Sequence, residues 1–342
     1  MLDDKLLERL CTACGISGDE GEVREIILQE IKPFADDIKV DALGNVIVFR
    51  KGRERAKRKL MISAHMDEVG FIVTDITSEG LLKFTSVGGI NNSAAFAKQV
   101  LIGKNKIHGV VCSKPVHLLS ADEKKKCPKI ESLSIDIGAK SKEEAKQYVR
   151  LGDSIMFDSF YENKDGRIIA KALDDRFGCL VLITMIKSEL PYDMYFTFCV
   201  QEEVGLRGST AAAFTVAPDS AIVIEATTAA DVPFAENEKR VCLVGGGAVV
   251  SFMDRASIYD KGYYDLAMEI AEKNGIAAQT KTMVAGGNDA GAIHRSRGGV
   301  RTAAVSVPCR YLHSSSSLIS VSDAQAVYSL VSELAKRIAG DD

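Results

Sequence analysis

Five apolar runs in this chain each break off at a histidine or an acid, and that coincidence limits the fold more than any other feature. Leu60–Ala64 stops at His65, Arg167–Ala172 at Asp174 and Asp175, and Tyr195–Val200 at Glu202 and Glu203. Ala221–Ile224 stops at Glu225, and Thr302–Val307 reaches His313 after a loop. Aromatic and β-branched residues pack well on a pleated surface, so these runs read as buried strands. In open α/β sheets, ligands gather beyond the carboxyl ends of the strands. Imidazoles and carboxylates collected at one such edge compose a metal site suited to zinc, cobalt or manganese. There are groups enough for two ions sharing a bridging carboxylate. Each residue alone has an ordinary reading: a hydrogen-bonded core histidine, a helix N-cap at Asp174, a solvated Glu pair. Together those readings leave a charge cluster with nothing to neutralise it, and the metal reading is favoured.

The segment Thr197–Gly208 is the densest part of this pattern. Side chains alternate in direction along a strand, so the adjacent Glu202 and Glu203 are suited to different tasks: one to bind, the other to face a reacting atom. The same rule places His65 and Asp67, two positions apart, on one side, where Asp67 can hold the second ring nitrogen of His65.

A length of 342 residues suggests two domains, or one large domain carrying an insertion. Hydrophobic residues make up 46% and charged residues 26%, which is ample for a packed core. The net charge of −4 argues against a nucleic-acid partner, which would need a basic face. No apolar stretch approaches a membrane span, and the acidic, helix-like start carries no signal-peptide pattern, so a cytoplasmic location is expected. The eight cysteines are scattered, mostly in apolar stretches, and read as buried reduced thiols. Cys11 and Cys14 have redox or zinc spacing but no second pair.

Along the chain, 4–14 and 20–31 read as amphipathic helices, the second with Ser17 or Asp19 available as N-cap. A hairpin follows at 38–50, then a basic connector at 50–59. From about residue 70 the texture changes to short strands without a long buried helix, and α/β alternation resumes at Arg167. The expected organisation is therefore a catalytic α/β domain from 1–68 and 162–342, with a β-rich module inserted at 69–161. Within the second part, helices are expected at 174–187, 209–214, 259–273 and 322–339.

The motifs Ala64-His65-Met66-Asp67-Glu68-Val69-Gly70, Lys171-Ala172-Leu173-Asp174-Asp175-Arg176 and Gln201-Glu202-Glu203-Val204-Gly205-Leu206-Arg207-Gly208 belong together. With Gly286-Gly287-Asn288-Asp289-Ala290-Gly291 and Arg310-Tyr311-Leu312-His313, their order and spacing resemble the tetrahedral (TET) and glutamyl aminopeptidase family. Its members are co-catalytic di-metal exopeptidases, some labelled glucanase or cellulase. The resemblance runs from about residue 5 to residue 335. It implies a zinc-peptidase-like α/β/α sandwich interrupted by a small β-barrel-like domain used in dimerisation, with dimers assembling into hollow dodecamers. It implies two divalent metal ions per subunit, zinc first and cobalt or manganese as alternatives, and peptides as substrates. Residue by residue, it makes Asp174 the carboxylate that bridges both metals, with His65 and Glu225 completing one site and Glu203 and His313 the other. Glu202 matches the general base and Asp67 the partner of His65. This chain departs from the pattern in carrying Glu225 where many relatives have Asp, and Ser314-Ser315-Ser316-Ser317 after His313 where Ser-Pro is usual. Neither departure removes a ligand or the base.

Two other activities use similar groups. A glycosidase needs two carboxyls separated across a sugar, usually beside aromatic platforms. Here Glu202 and Glu203 are adjacent, Trp is absent, and His65 and His313 would have no task. An amidase or deacylase on the same two-metal scaffold would share the machinery of an aminopeptidase. Gly286–Asp289 reads equally as cleft lining and as a helix-starting turn, and His294 as structural.

Overall fold

The computed structural model describes residues 2–236 and 239–341. The chain begins with α1 (Asp4–Thr12), whose first turn is capped by the Asp3 carboxylate accepting from Leu6 N at 3.1 Å, and α2 (Gly21–Ile31). Neither Ser17 nor Asp19 caps α2; the N-cap is Glu20, without a side-chain bond, because all three side chains are engaged elsewhere. Next come β1 (Asp37–Val40), β2 (Val46–Arg50) and β3 (Leu60–His65). The chain then enters β4 (Gly70–Ile76) and β5 (Leu82–Val87), the short α3 (Asn92–Ala95), β6 (Gln99–Ile102), β7 (Ile107–Cys112) and β8 (Ser134–Asp136). The short α4 (Lys142–Ala145) and β9 (Ser154–Phe157) follow, then β10 (Glu162–Lys164), β11 (Arg167–Ala170), α5 (Leu173–Lys187) and β12 (Met194–Cys199). The remainder is α6 (Arg207–Val216), β13 (Ser220–Thr228), β14 (Ala248–Val250), α7 (Lys261–Asn274), β15 (Ala278–Thr280), α8 (Ala290–Ile293), β16 (Arg301–Cys309), β17 (Ser317–Ser320) and α9 (Val321–Gly340).

Eight strands form the main sheet in the order β1-β2-β12-β3-β13-β16-β14-β15. The four central strands, β12, β3, β13 and β16, are mutually parallel, so their carboxyl ends open on one edge. Alternation along each strand divides the core. Leu60, Ile62 and Ala64 face the layer that includes α1, α5 and α9, while Met61 faces the layer of α6 and α8. This is the α/β/α sandwich expected from the sequence. The six strands β4–β9 close into a barrel with a core of its own. There Phe71 meets Phe84 and Phe157 edge-on at 5.0 and 5.4 Å.

One expectation about the sheet is corrected. The strand that leads to Asp174, β11, lies outside the main sheet, in a three-stranded antiparallel sheet with β10 and β17. Its edge is polar and exposed on one side, which suits a small flanking sheet better than a central parallel strand. Asp174 still reaches the common edge, from the non-helical start of α5 at Asp174 and Asp175.

A buried polar cluster ties these parts together. Arg176, with no exposed surface, donates to the carbonyls of Met66 (2.7 Å), Leu10 (2.5 Å) and Gly15 (3.1 Å), and to Glu68 at 3.1 Å. Lys171 donates to both oxygens of Glu68 at 2.6 and 2.8 Å and to the Ala13 carbonyl at 3.0 Å. Burial pulls the Lys171 ammonium below the usual lysine range, and Glu68 opposes that pull. Glu68→Ala would leave two buried cations without their counter-charge. The expected cost is about 3–5 kcal/mol, read as a lower denaturation midpoint at unchanged slope. A loss below about 1 kcal/mol would show that water or rearrangement already compensates the charges.

Candidate metal centre

The site is assembled at the carboxyl ends of the parallel strands. His65 is the last residue of β3 and pairs in register with Cys199, the last of β12. The chain then turns sharply through Gln201, whose φ of 55° is left-handed, and Gly205 at 115°. Gly208 must be glycine, because a Cβ there would sit 2.3 Å from both the Val200 carbonyl and the Asn45 side chain. Asn45 locks the turn, accepting from Val200 N at 2.9 Å and donating to the Gly208 carbonyl at 3.0 Å. Glu225 lies inside β13, opposite Ser306 of β16, rather than just past a strand end. Its strand runs on to Thr228 because Ala226 to Thr228 continue the pairing with β16.

Both imidazoles are oriented by backbone. His65 Nδ1 faces the Asp67 carbonyl oxygen at 3.1 Å, and His313 Nδ1 faces the Gly89 carbonyl at 2.9 Å. Each Nδ1 therefore acts as donor, which leaves each Nε2 lone pair free to bind. His65 Nε2 lies 3.3 Å from Asp174 Oδ1 and 3.7 Å from Glu225 Oε2. His313 Nε2 lies 3.2 Å from Glu203 Oε2 and 3.6 Å from Asp174 Oδ2. Asp174 thus offers one oxygen to each ring. Potential ligand atoms fall within 4.8 Å of one another in three groups: His65, Asp174 and Glu225; Asp174, Glu203 and His313; and His65, Glu202 and Glu203. Asp174 Oδ1 and Glu225 Oε1 are buried without a hydrogen-bond partner. Oxygen and nitrogen donors with unfilled lone pairs, gathered in this way, fit a pair of divalent cations.

The Asp67 carboxylate stands 3.5 Å from His65 Nδ1, farther than its own carbonyl oxygen. Its main partners are the backbone amides of Glu202 (3.0 Å) and Glu203 (3.1 Å) and the Ser17 hydroxyl (2.6 Å). The Glu20 carboxylate similarly accepts from Gln201 N at 3.2 Å. Asp67 therefore grips the Glu202-Glu203 turn more than the His65 ring. Asp175, the other acid of its pair, is drawn off to cap α5 through Gly178 N at 3.0 Å and to receive His65 N at 3.3 Å.

Crowding dominates the electrostatics. Burial lifts Glu225 and Glu202 well above the carboxylate range; neighbouring acids add to it, and His65 works against it. Burial disfavours the charged His313 ring, yet Asp174 and Glu203 push it up to about 11. Burial likewise opposes ionisation of Asp174, but His313 and His65 hold it well below its ordinary value. Mutual repulsion of this kind calls for concentrated positive charge.

A cavity of about 290 Å³ opens beside the cluster, lined by Glu202, Glu203 and His313 on one side and by Gly287, Asn288 and Lys281 on another. Gly286 to Asn288 line it while Asp289 starts α8, so both expectations for that motif describe it. His294 Nδ1 bonds the Ala290 carbonyl at 2.7 Å, a structural contact. Sequence reasoning gave Ser17 only a capping role and overlooked Glu20 and Lys281. Each belongs to an ordinary polar stretch, and its partners are distant in the chain.

A sequence profile for the M42 glutamyl aminopeptidase family matches residues 44–330. An aminopeptidase-named protein of Acetivibrio thermocellus is 39% identical over 96% of this chain and 97% of its own length. The lysyl aminopeptidase of Pyrococcus furiosus is 32% identical, covering 99% and 98%. Among solved structures, a TET aminopeptidase from a marine Thaumarchaeota archaeon superposes with a TM-score of 0.93 at 37% identity, covering 98% of this chain and 96% of that one. The TET1 peptidase of Pyrococcus horikoshii, described as able to assemble into a tetrahedron or a large octahedral shell, gives 0.85 at 36% identity and covers 99% of both chains.

The grip of Asp67 on the turn yields an expectation. Asp67→Ala should weaken metal affinity about 10–100-fold, measured by competition with a chelator, because the turn bearing Glu203 loses its anchor. Wild-type affinity in a folded variant would show that the turn holds its place without Asp67.

Proposed function

Because the chain belongs to the M42 glutamyl aminopeptidase family, we propose a mechanism for its peptide hydrolysis in which five residues hold metal and Glu202 moves the proton. The enzyme is a metal-dependent aminopeptidase, and its substrates are peptides. The ligands in this reading are His65, Asp174 and Glu225 around one ion, and Asp174, Glu203 and His313 around the other. The observation that carries it is the disposition of Asp174, one oxygen turned to each imidazole at 3.3 and 3.6 Å. Zinc suits the mixed nitrogen and oxygen donors best, and cobalt or manganese would also be accommodated.

Divalent cations in these positions supply Lewis acidity, polarising the scissile carbonyl and lowering the pKa of water. The protein's own groups do the rest. Glu202, whose affinity for protons is raised by burial and by its acidic neighbours, accepts a proton from the attacking water and returns it to the leaving amine. Asp67 fixes the backbone of Glu202, so the base is positioned before substrate arrives. The acidic wall of the cavity offers a partner to a free α-ammonium group, which confines cleavage to the first residue of a peptide. An amidase on the same scaffold lacks that requirement, so hydrolysis of amino-acid anilides against their N-acyl counterparts separates the two. Chelator-insensitive release of glucose from a cellulosic substrate would mark a glucan hydrolase instead.

The barrel module, 69–161, is assigned to dimer contacts, with dimers building a dodecamer. Support comes from the assembly described for the P. horikoshii relative and from exposed apolar residues such as Val116, Leu118 and Leu151. A cytoplasmic setting accords with eight free thiols. Among the described residues, no helix is long and apolar enough to cross a membrane.

Glu202→Gln should keep its metal by elemental analysis while turnover falls about 10²–10⁴-fold. His65→Ala and His313→Ala should lose metal and activity together. An active Glu202→Gln enzyme would remove the base from this scheme, and full metal content in either His variant would remove that ligand.

A further inference from the structure

Three arginines gather on the solvent face of the α6 and α8 layer. Arg207 opens α6, and Arg295 and Arg297 follow α8. All three are exposed, and with Phe214 and Leu43 they line one open groove of about 820 Å³. Among the described residues, none of them has a carboxylate within the 4.0 Å of an ion pair. Their guanidiniums are nevertheless held in place. Arg295 Nε donates to the Gly291 carbonyl at 2.6 Å, and Arg297 Nε to the Phe214 carbonyl at 2.7 Å. The Arg297 guanidinium also lies over the Phe214 ring, 4.0 Å from its centre. Arg207 Nη1 donates to the Gln201 side chain at 3.3 Å. In Arg295 and Arg297 the inner nitrogen is spent on backbone, and the two terminal nitrogens have no partner among the described residues.

Guanidinium forks anchored in this way are ready for a planar anion, since little rotamer freedom is left to lose. Their apolar neighbours narrow the choice of anion. Phe214 is 60% exposed and Leu43 45%, so an occupant gains by covering carbon as well as by pairing charge. A second copy of the same surface is a poor match, because a two-fold contact would set arginine against arginine. A nucleic acid is a poor match as well. The whole chain carries a net charge of −4, and one face of the Phe214 ring is covered by Arg297 rather than open to a base. From Arg207 to Thr215, α6 extends roughly 12 Å, a length that an extended peptide spans in about four residues.

We infer that this groove is a docking site for an acidic segment of a partner polypeptide, bound extended along α6. Carboxylates occupy the forks of Arg295 and Arg297, and an apolar side chain covers Phe214 and Leu43. The site is distinct from the hydrolytic one: none of its arginines lines the cavity beside the metal centre, and docking does not depend on what that centre cleaves. Carboxylate pairing supplies orientation here, and the apolar contact supplies the area that a purely ionic surface lacks.

The test is the binding of a fluorescent, N-acetylated peptide to the full-length, metal-reconstituted enzyme, followed by anisotropy. The peptide carries aspartates and glutamates on either side of one leucine, and the acetyl group denies it the free amine of an aminopeptidase substrate. Binding should saturate, weaken as salt is raised, and vanish when the acids of the probe are replaced by their amides. Replacing both forks, Arg295→Gln with Arg297→Gln, should weaken it about 10–100-fold while anilide hydrolysis is unchanged. Arg295→Lys with Arg297→Lys keeps the charge without the fork and should fall between; it serves where the Gln pair fails to fold. Phe214→Ser should weaken the leucine probe and leave a leucine-free acidic probe unaffected. No binding to wild type overturns the proposal, as does equal binding by the Gln pair. A single-stranded oligonucleotide that binds more tightly than the peptide, and loses affinity in the Gln pair, reassigns the surface to nucleic acid. A change in assembly size of the Gln pair by light scattering reassigns it to contact between copies, and either result overturns the acidic-peptide role.

Discussion

Acids packed around two imidazoles repel one another, and much of the surrounding structure serves to keep them in place. Asp174, Glu202, Glu203 and Glu225 come from three separate segments, and none would remain near the others without restraint. Repulsion between desolvated carboxylates grows as water is removed, so restraint must come from bonds that do not themselves consume the ligand oxygens. The chain meets this demand through its backbone. Asp67 and Glu20 accept from the amides of residues 201–203, Asn45 locks both sides of the same turn, and two carbonyls orient the histidines. The carboxylates proposed to bind metal are thereby left free to do so.

These restraints lead back to the buried cluster of Glu68, Lys171 and Arg176. Arg176 lies two residues after Asp174 and holds the Met66 carbonyl, between His65 and Asp67. One guanidinium therefore couples the loop after β3 to the segment that presents the shared acid, and binds both to the N-terminal segment through Leu10 and Gly15. A planar fork with five donors suits such a junction; a lysine could not reach three carbonyls and a carboxylate at once. The adjacency of Asp174, Asp175 and Arg176 in sequence thus reflects three tasks within one turn: the proposed bridging ligand, a helix cap and a lock on the frame.

Much of this was legible because strand ends carry a strong signal. An apolar run broken by His65 or by Glu202-Glu203 announces both a buried strand and a polar edge, and parallel pairing then brings such edges together. The three-layer sandwich and the change of texture near residue 70 follow from the same periodicities. Less visible were features set by long-range pairing. Arg167–Ala170 resembles a central strand locally, but only its partners reveal that it belongs to a small flanking sheet. Glu225 sits within β13 because β16 continues alongside it, a fact its own neighbours in sequence do not disclose. Lys281 was hidden for a similar reason. A lysine between two threonines looks like an exposed strand end, and only the fold turns it into the cavity.

The inserted barrel is more closely bound to the site than its separate core implies. The carbonyl that orients His313 belongs to Gly89, two residues beyond β5, and a Cβ on the preceding Gly88 would lie 3.3 Å from that of Glu203. Gly88 has a φ of 82° and packs closely against Val69 as well, so glycine is required there on two counts. A histidine on a loop after β16 has no strand of its own to hold it, and it is half exposed where His65 is buried. The barrel supplies the missing constraint. One of the two imidazoles is therefore fixed by the sandwich and the other by the insertion, so the spacing of the ligand sets depends on how these two bodies seat against each other.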